Sequence, residues 1–297
     1  MNKILNYIFT YRNNKRMRLL INKTMCHQLF NYMYNYNYNS NRTWNGKKAL
    51  VLLSFDVDMT KDVLSLKTLM DVLSSYDYKT SFACIGKWVE KYPKEHEKIL
   101  ENGHEIINHT YSHPNNDELN PNEKFNELST DEKKYEIKKC HNICKEILDY
   151  NPKGFRVPHF GDLFTEDIYL ILSELKYSYS SSIVASKSPT FTLPYVNNGI
   201  VEFPISPCPK HPFGVLDTWH SLERGVNKHQ NDFVDLFEKM ILKAKEKHSI
   251  VNIYWDPQDI INLNSLNDLL DLIVDKDILV TTYRRAFEEM KKNKYFE

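Results

Sequence analysis

The sequence predicts an α/β protein, a distorted barrel of seven or eight βα units behind a low-complexity N-terminal extension. Three observations carry that expectation. From Lys48 onward, short apolar runs rich in β-branched and aromatic residues alternate with longer amphipathic stretches, the pattern of strands and helices in βα units. The length, 297 residues, suits one barrel-sized domain. Finally, 41% hydrophobic and 26% charged residues, with no run of about 18 apolar ones, exclude collagen, coiled coil and bilayer-spanning helices.

Residues 1–47 form the extension. Lys3, Arg12, Lys15, Arg16, Arg18, Lys23, Arg42, Lys47 and Lys48 all precede the first acidic residue, Asp56. With 39 basic and 39 acidic side chains in total, the remainder therefore carries thirty basic against thirty-nine acidic groups. The run Asn31 to Asn41, NYMYNYNYNSN, offers little periodic apolar surface and reads as weakly ordered chain. A solvated tail is the plain reading; nucleic-acid or membrane contact, or an organelle presequence, are the functional ones, and no specific nucleic-acid partner is expected. Its apolar stretches, such as Tyr7 to Phe9, are too short for a secretory signal.

Residues 48–297 form the domain. Strands are expected at Leu50–Phe55, Thr80–Ile85, Glu105–Asn108, Gly154–Arg156, Ser178–Ser182, Ile200–Phe203, Ile250–Tyr254 and Ile278–Thr281. Helices fill Lys61–Ser75, Pro93–Asn102, Thr130–Asp149, Glu166–Lys176, Asn231–Lys247, Ser265–Asp275 and Tyr283–Lys292. Five cysteines, an odd count in a long chain, argue for reduced thiols and a cytoplasmic setting; Cys140 and Cys144 share a helix face, as packing residues or as half a zinc site. The sequon Asn108-His109-Thr110 falls among reactive residues, where a glycan would be ruinous.

On this plan the reactive side chains gather at carboxyl ends of strands, the face that carries the chemistry of parallel barrels. Asp56 and Asp58 follow the first strand, His109 and His113 the third, Arg156 ends the fourth and Asp256 follows the seventh. The i, i+4 spacing of His109 and His113 lets two imidazoles meet one cation, and Asp58 adds an anionic third ligand with positions left open for water and substrate. Asp56 and Asp58 lie two apart on an extended segment and so face the same side, but only one can bind the ion head-on. The other is then free to take a proton from a water that the cation acidifies, unless one of them merely caps the helix near Lys61.

The segments LSFDVD (Leu53 to Asp58), GHEIINHTYSHP (Gly103 to Pro114) and GFRVPHFG (Gly154 to Gly161) resemble, in order and spacing, the first three motifs of the polysaccharide deacetylase family, also called the NodB-homology domain or carbohydrate esterase family 4. TSFACIGKWVEKYP (Thr80 to Pro93) and EFP (Glu202 to Pro204) resemble further segments, so the resemblance covers roughly Lys48 to Lys292. It implies a distorted barrel that removes an acetyl group from an N-acetylated carbohydrate with one divalent metal ion, for which Zn²⁺ is expected. Asp56 resembles the general base, Asp58, His109 and His113 the metal ligands, and Arg156 the arginine that orients and tunes the base, its alternative being a structural ion pair.

The resemblance fails at the proton donor. Where family members carry a histidine after the seventh strand, this chain reads Asn-Ile-Tyr-Trp-Asp-Pro (Asn252 to Pro257), which places Trp255 or Asp256 there. An aspartate would need burial or like-charge pressure to act as an acid at pH 7. His211, in the proline-stiffened Pro207-Cys-Pro-Lys-His-Pro212 loop, is the favoured substitute, with His159 another. Asp217-Thr-Trp219-His220 resembles the family's segment in which a carboxylate orients the acid and an indole walls the sugar pocket. Pro158, Trp219 and Trp255 are the expected substrate-binding residues, with Phe213 a further stacking surface; core packing is the alternative for the aromatics. Two rival functions stay open, a metal-dependent amidohydrolase on a cyclic imide or ureide and a non-catalytic carbohydrate-binding protein. An iron oxygenase is disfavoured by ligand order, and a homo-oligomer is left open.

Overall fold

The protein is described by a computed structural model covering residues 14–223, 229 and 231–296. Two helices come first, α1 (Lys15–Thr24) and α2 (Cys26–Asn35). The barrel then runs β1 (Ala49–Val57), α3 (Thr60–Ser75), β2 (Ser81–Cys84), α4 (Gly86–Lys91), α5 (Pro93–Glu101), β3 (Glu105–Asn108), α6 (Thr130–Leu148), β4 (Gly154–Phe155), α7 (Ile168–Glu174) and β5 (Tyr179–Ser180). It continues through β6 (Tyr195–Asn197), β7 (Ile200–Glu202), a π-helical turn at Trp219–Glu223, α8 (Phe233–Lys247), β8 (Ile250–Trp255), α9 (Pro257–Asn262), α10 (Leu266–Asp271), β9 (Ile278–Val280) and α11 (Tyr283–Lys292). Every expected strand and helix of the domain is present, mostly trimmed by one to three residues per end, where terminal turns lack a ladder partner.

The sheet runs β6-β7-β5-β4-β3-β2-β1-β8, parallel except for the β6–β7 hairpin, which the sequence reading missed. β2 covers the carboxyl end of β1 at Ser54–Val57 and β9 its amino end at Ala49–Val51. Among the described residues no ladder closes the barrel. After β7 the chain meets β8 through Asn252, whose Nδ2 donates to the carbonyls of Phe203 (2.7 Å) and Pro204 (3.1 Å) and whose carbonyl accepts from Ser206 N–H (2.8 Å).

Strand parity sorts the core. Along β1, Ala49, Val51, Leu53, Phe55 and Val57 face the helical layer, while Leu50 and Leu52 face the interior with Ala83, Ile107, Tyr179, Phe203, Ile250 and Tyr283. The same inward row continues with Ser54 and Asp56, both buried, so a polar pair replaces apolar side chains at the barrel mouth. Gly154 is required where β4 passes under Tyr179: a Cβ there would fall 2.8 Å from the Ile107 side chain and nearer still to the tyrosine ring.

The extension departs from expectation. Far from being weakly ordered, α2 buries Leu29, Phe30, Met33 and Tyr34 at helical spacing; Phe30 and Tyr34 join the main core, and Leu29 and Met33 pack with Ile21 of α1 against Ala185, Phe191 and Phe213. The Asn/Tyr-rich composition concealed an amphipathic stripe that needs the barrel wall to become a helix. Lys3 and Arg12 of the basic arm lie outside the described residues.

Candidate active site

Asp56 is anchored by Arg156. The guanidinium is fully buried and donates through Nη1 to Asp56 Oδ1, through Nη2 to Ser54 Oγ (2.9 Å), Ser181 Oγ (3.2 Å) and Tyr283 OH (2.6 Å), and through Nε to the Ser181 carbonyl (3.3 Å). Tyr283 in turn donates to Asn252 Oδ1 (2.6 Å), so the pair rests on a closed polar network inside the barrel. Burial raises the Asp56 pKa and the Arg156 charge pulls against it, leaving a fixed carboxylate that is a stronger proton acceptor than an exposed one. Ser54 was legible as a polar residue in an apolar row; Tyr283 and Ser181 carried no signal in the sequence.

Asp58, His109 and His113 come together. His109 Nε2 lies 3.2 Å from Asp58 Oδ1 and His113 Nε2 3.5 Å from Asp58 Oδ2, and one ligand atom from each residue lies within 4.8 Å of the others. The Asp58 carbonyl is clamped by Trp88 Nε1 (2.9 Å) and Asn116 Nδ2 (2.7 Å). The histidines sit on a tight loop rather than a helical turn, with Thr110 at φ 66° and His113 at φ 49°. That loop is pinned by Asn108 Oδ1 accepting from Thr110 N–H (2.9 Å), Thr110 Oγ1 from His113 N–H (3.1 Å), and the Glu136 carboxylate from the N–H groups of Tyr111 (3.0 Å) and Ser112 (2.8 Å). Asn108 is fully buried, with its amide nitrogen donating to Ile137 O and Tyr177 OH, which leaves the sequon no room for a glycan.

The donor set fits a divalent cation. His109 Nδ1 lies 2.9 Å from the Arg156 carbonyl and, as the donor of that bond, keeps Nε2 as a lone pair toward Asp58. His109 Nε2, both ring nitrogens of His113 and Asp58 Oδ1 are buried without a hydrogen-bond partner, the condition expected of atoms built to coordinate. Burial pushes His113 down to about 3, so its ring is neutral and available. For Asp58 burial works upward, but His113 and His109 outweigh it and the carboxyl stays ionised. His159 stacks edge-on against His113 at 4.9 Å, its Nε2 3.1 Å from the Pro114 carbonyl; Pro158 beside it is buried.

Asp256 ends the inward row of β8. It is buried, accepts from Thr218 Oγ1–H (2.6 Å) and donates its N–H to the same oxygen (2.8 Å). Burial, then the nearby carboxylates of Asp62 and Asp58, hold its carboxyl well above the ordinary range. Asp217 accepts from Tyr254 OH (2.7 Å), and Tyr254 lies under the Arg156 guanidinium at 5.2 Å.

Three expectations are corrected. Trp255 does not face a pocket: it is fully buried among Phe55, Phe233 and Phe237, because odd positions of β8 point to the helical layer. Phe213 is committed to the cluster under α1 and α2. His211 turns to His229, Nδ1 to Nε2 2.8 Å, and to Cys208 rather than to the Asp58 group. Trp219 alone of the expected aromatic walls stays half-buried on the π-helical turn.

The family model described as polysaccharide deacetylase matches residues 44–180. A peptidoglycan-N-acetylglucosamine deacetylase of Bacillus cereus is 32% identical over 121 residues, 41% of this chain and 40% of that protein, so the chain spans well under half of this relative's length. Among solved structures, one described as a putative polysaccharide deacetylase from Mycobacterium smegmatis superposes with a TM-score of 0.70 at 18% identity, covering 85% of this chain and 93% of that one. A second, Puue allantoinase, gives 0.68 at 12% identity, covering 89% and 98%. Both likenesses are of fold.

Proposed function

Since residues 44–180 belong to the polysaccharide deacetylase family, we propose that the chain hydrolyses the acetamido group of an N-acetylated amino-sugar glycan or glycan precursor, using one divalent ion, Zn²⁺, held by Asp58, His109 and His113. The observation that carries this reading is the set of orphaned ligand atoms on those three residues, beside an aspartate locked to a buried arginine. When bound, the ion supplies a Lewis acid that polarises the amide carbonyl and acidifies water. Arg156 occupies Asp56 Oδ1, and Asp56 takes the proton of the attacking water through its other oxygen.

The leaving nitrogen then needs a proton, and Asp256 supplies it. Its burial and neighbouring carboxylates meet the condition under which an aspartate acts as an acid near neutral pH, while His211 is engaged elsewhere. Trp219 is left as the stacking surface for a sugar face. Among the described residues no helix is long and apolar enough to cross a membrane. The five cysteines are unpaired, which fits a reducing setting.

The test is acetate release from N-acetylglucosamine oligomers, with a cyclic ureide in parallel. Acetate release that disappears with Asp56→Asn supports the proposal. Turnover of the ureide alone, or tight sugar binding with no amide cleaved, contradicts it.

A further inference from the structure

Cys208, His211 and His229 converge on a second point of the molecule, and we propose that they bind a further divalent transition-metal ion of the zinc class that ties the Pro207–Pro212 loop to the segment entering α8. Cys208 Sγ lies 3.8 Å from His229 Nε2, and His211 Nδ1 lies 2.8 Å from the same nitrogen; all three ligand atoms fall within 4.8 Å of one another. Around a tetrahedral ion with Zn–S near 2.3 Å and Zn–N near 2.0–2.1 Å, ligand atoms sit about 3.3–3.6 Å apart. Reaching that geometry takes a separation of the two rings by about half an ångström and a closing of the sulfur on both nitrogens, from 3.8 Å on the His229 side and from within 4.8 Å on the His211 side.

The supporting shell has the character of a metal site. The Asp232 carboxylate lies 3.2 Å from His229 Nδ1, which fixes the proton on that nitrogen and turns the Nε2 lone pair toward Cys208 and His211. Lys210 pairs with the same carboxylate and holds it in place. Pro207, Pro209 and Pro212 stiffen the loop, and two backbone bonds, Cys208 N–H to Gly214 O (3.1 Å) and Gly214 N–H to His211 O (2.8 Å), fold it on itself. Cys208 and His229 are buried and His211 is half-buried, so a fourth position on its side is open to water. Burial pushes His211 down to about 4, which leaves its ring neutral at pH 7. A thiolate with two imidazoles selects zinc-like ions over Mg²⁺ or Ca²⁺.

This site is independent of the proposed hydrolysis, since the Asp58 group offers only nitrogen and oxygen ligands. Cobalt distinguishes them, because only a cysteine-bound ion gives a thiolate-to-cobalt charge-transfer absorption in the near ultraviolet. Titrating the metal-stripped full chain with Co²⁺ should bind two equivalents and develop that absorption to saturation with one of them. Cys208→Ser and His229→Ala should each bind one equivalent fewer; Cys208→Ser should lack the absorption, while His109→Ala should keep it. Absence of the absorption in the wild-type chain overturns the proposal whatever the variants do. Equal cobalt content in folded wild-type and Cys208→Ser chains, judged by circular dichroism, overturns it as well.

Discussion

The two halves of the barrel hold comparable sets of metal-type ligands in different ways. In the half spanned by β1 to β4, Asp58, His109 and Arg156 follow closely on parallel strands in register, Ser54 to Val57 against Ser81 to Cys84 and Asn108 against Phe155, so they arrive on one rim, while His113 is held beside them on the loop after β3 by Thr110 and Glu136. In the half after β7, Cys208, His211 and His229 stand on loops and are positioned by prolines and a carboxylate. The first set adjoins a buried aspartate–arginine pair and the second does not. On the functions proposed above, attachment to strand ends beside a buried carboxylate would distinguish the site for chemistry from the one that fastens a loop.

Breaking the rim should cost most. Arg156→Met strands the buried Asp56 carboxylate and three hydroxyl partners, and should lower unfolding free energy by about 3–5 kcal/mol in denaturant titrations as well as abolish turnover. On the other face of β8, Trp255→Ala should cost about 3–5 kcal/mol with turnover reduced only in proportion to the folded fraction, since the indole packs in the core. Leu29→Ala in α2 should cost about 2–4 kcal/mol by the same measurement; an exposed tail would give no change.

A smaller effect depends on pH. His96 is fully buried, with its pKa pushed down to about 4 by burial, so the unfolded chain binds the proton first. Its contribution is intact above pH 6.5 and is lost as pH falls toward 4, on the order of 3 kcal/mol at the acid end. The stability difference between wild type and His96→Gln should change over that window and be flat above it. Smallest is Trp219→Ala, which should cost about 1–2 kcal/mol of stability while raising KM for the sugar, because this indole is only partly buried.

How much of this could be read from the chain alone follows the same line. The strands and the residues at their ends were legible because period-2 alternation and the Asp56/Asp58 and His109/His113 spacings are local properties. That alternation also held the answer for Trp255: Ile250, Asn252, Tyr254 and Asp256 share one face, and the tryptophan lies on the other. The α2 stripe was hidden by Asn/Tyr composition, since its apolar face becomes worth ordering only against Phe191, Phe213 and the core. Ser181 meets Arg156 because β5 pairs with β4, a partnership no local spacing announces, and Tyr283, at the start of α11, meets it only through the curling of the sheet. His229 joins Cys208 and His211 across a loop, which no spacing rule anticipates.

The measurement that bears most directly on the division of labour at the rim is paired metal content and acetate release for Asp56→Asn and His109→Ala. Asp56→Asn should keep the wild-type metal content and lose turnover by about 10³-fold or more, whereas His109→Ala should lose one equivalent of metal together with turnover. Loss of the same equivalent from both variants, or retained acetate release in Asp56→Asn, would contradict the assignment of Asp56 as base and His109 as ligand.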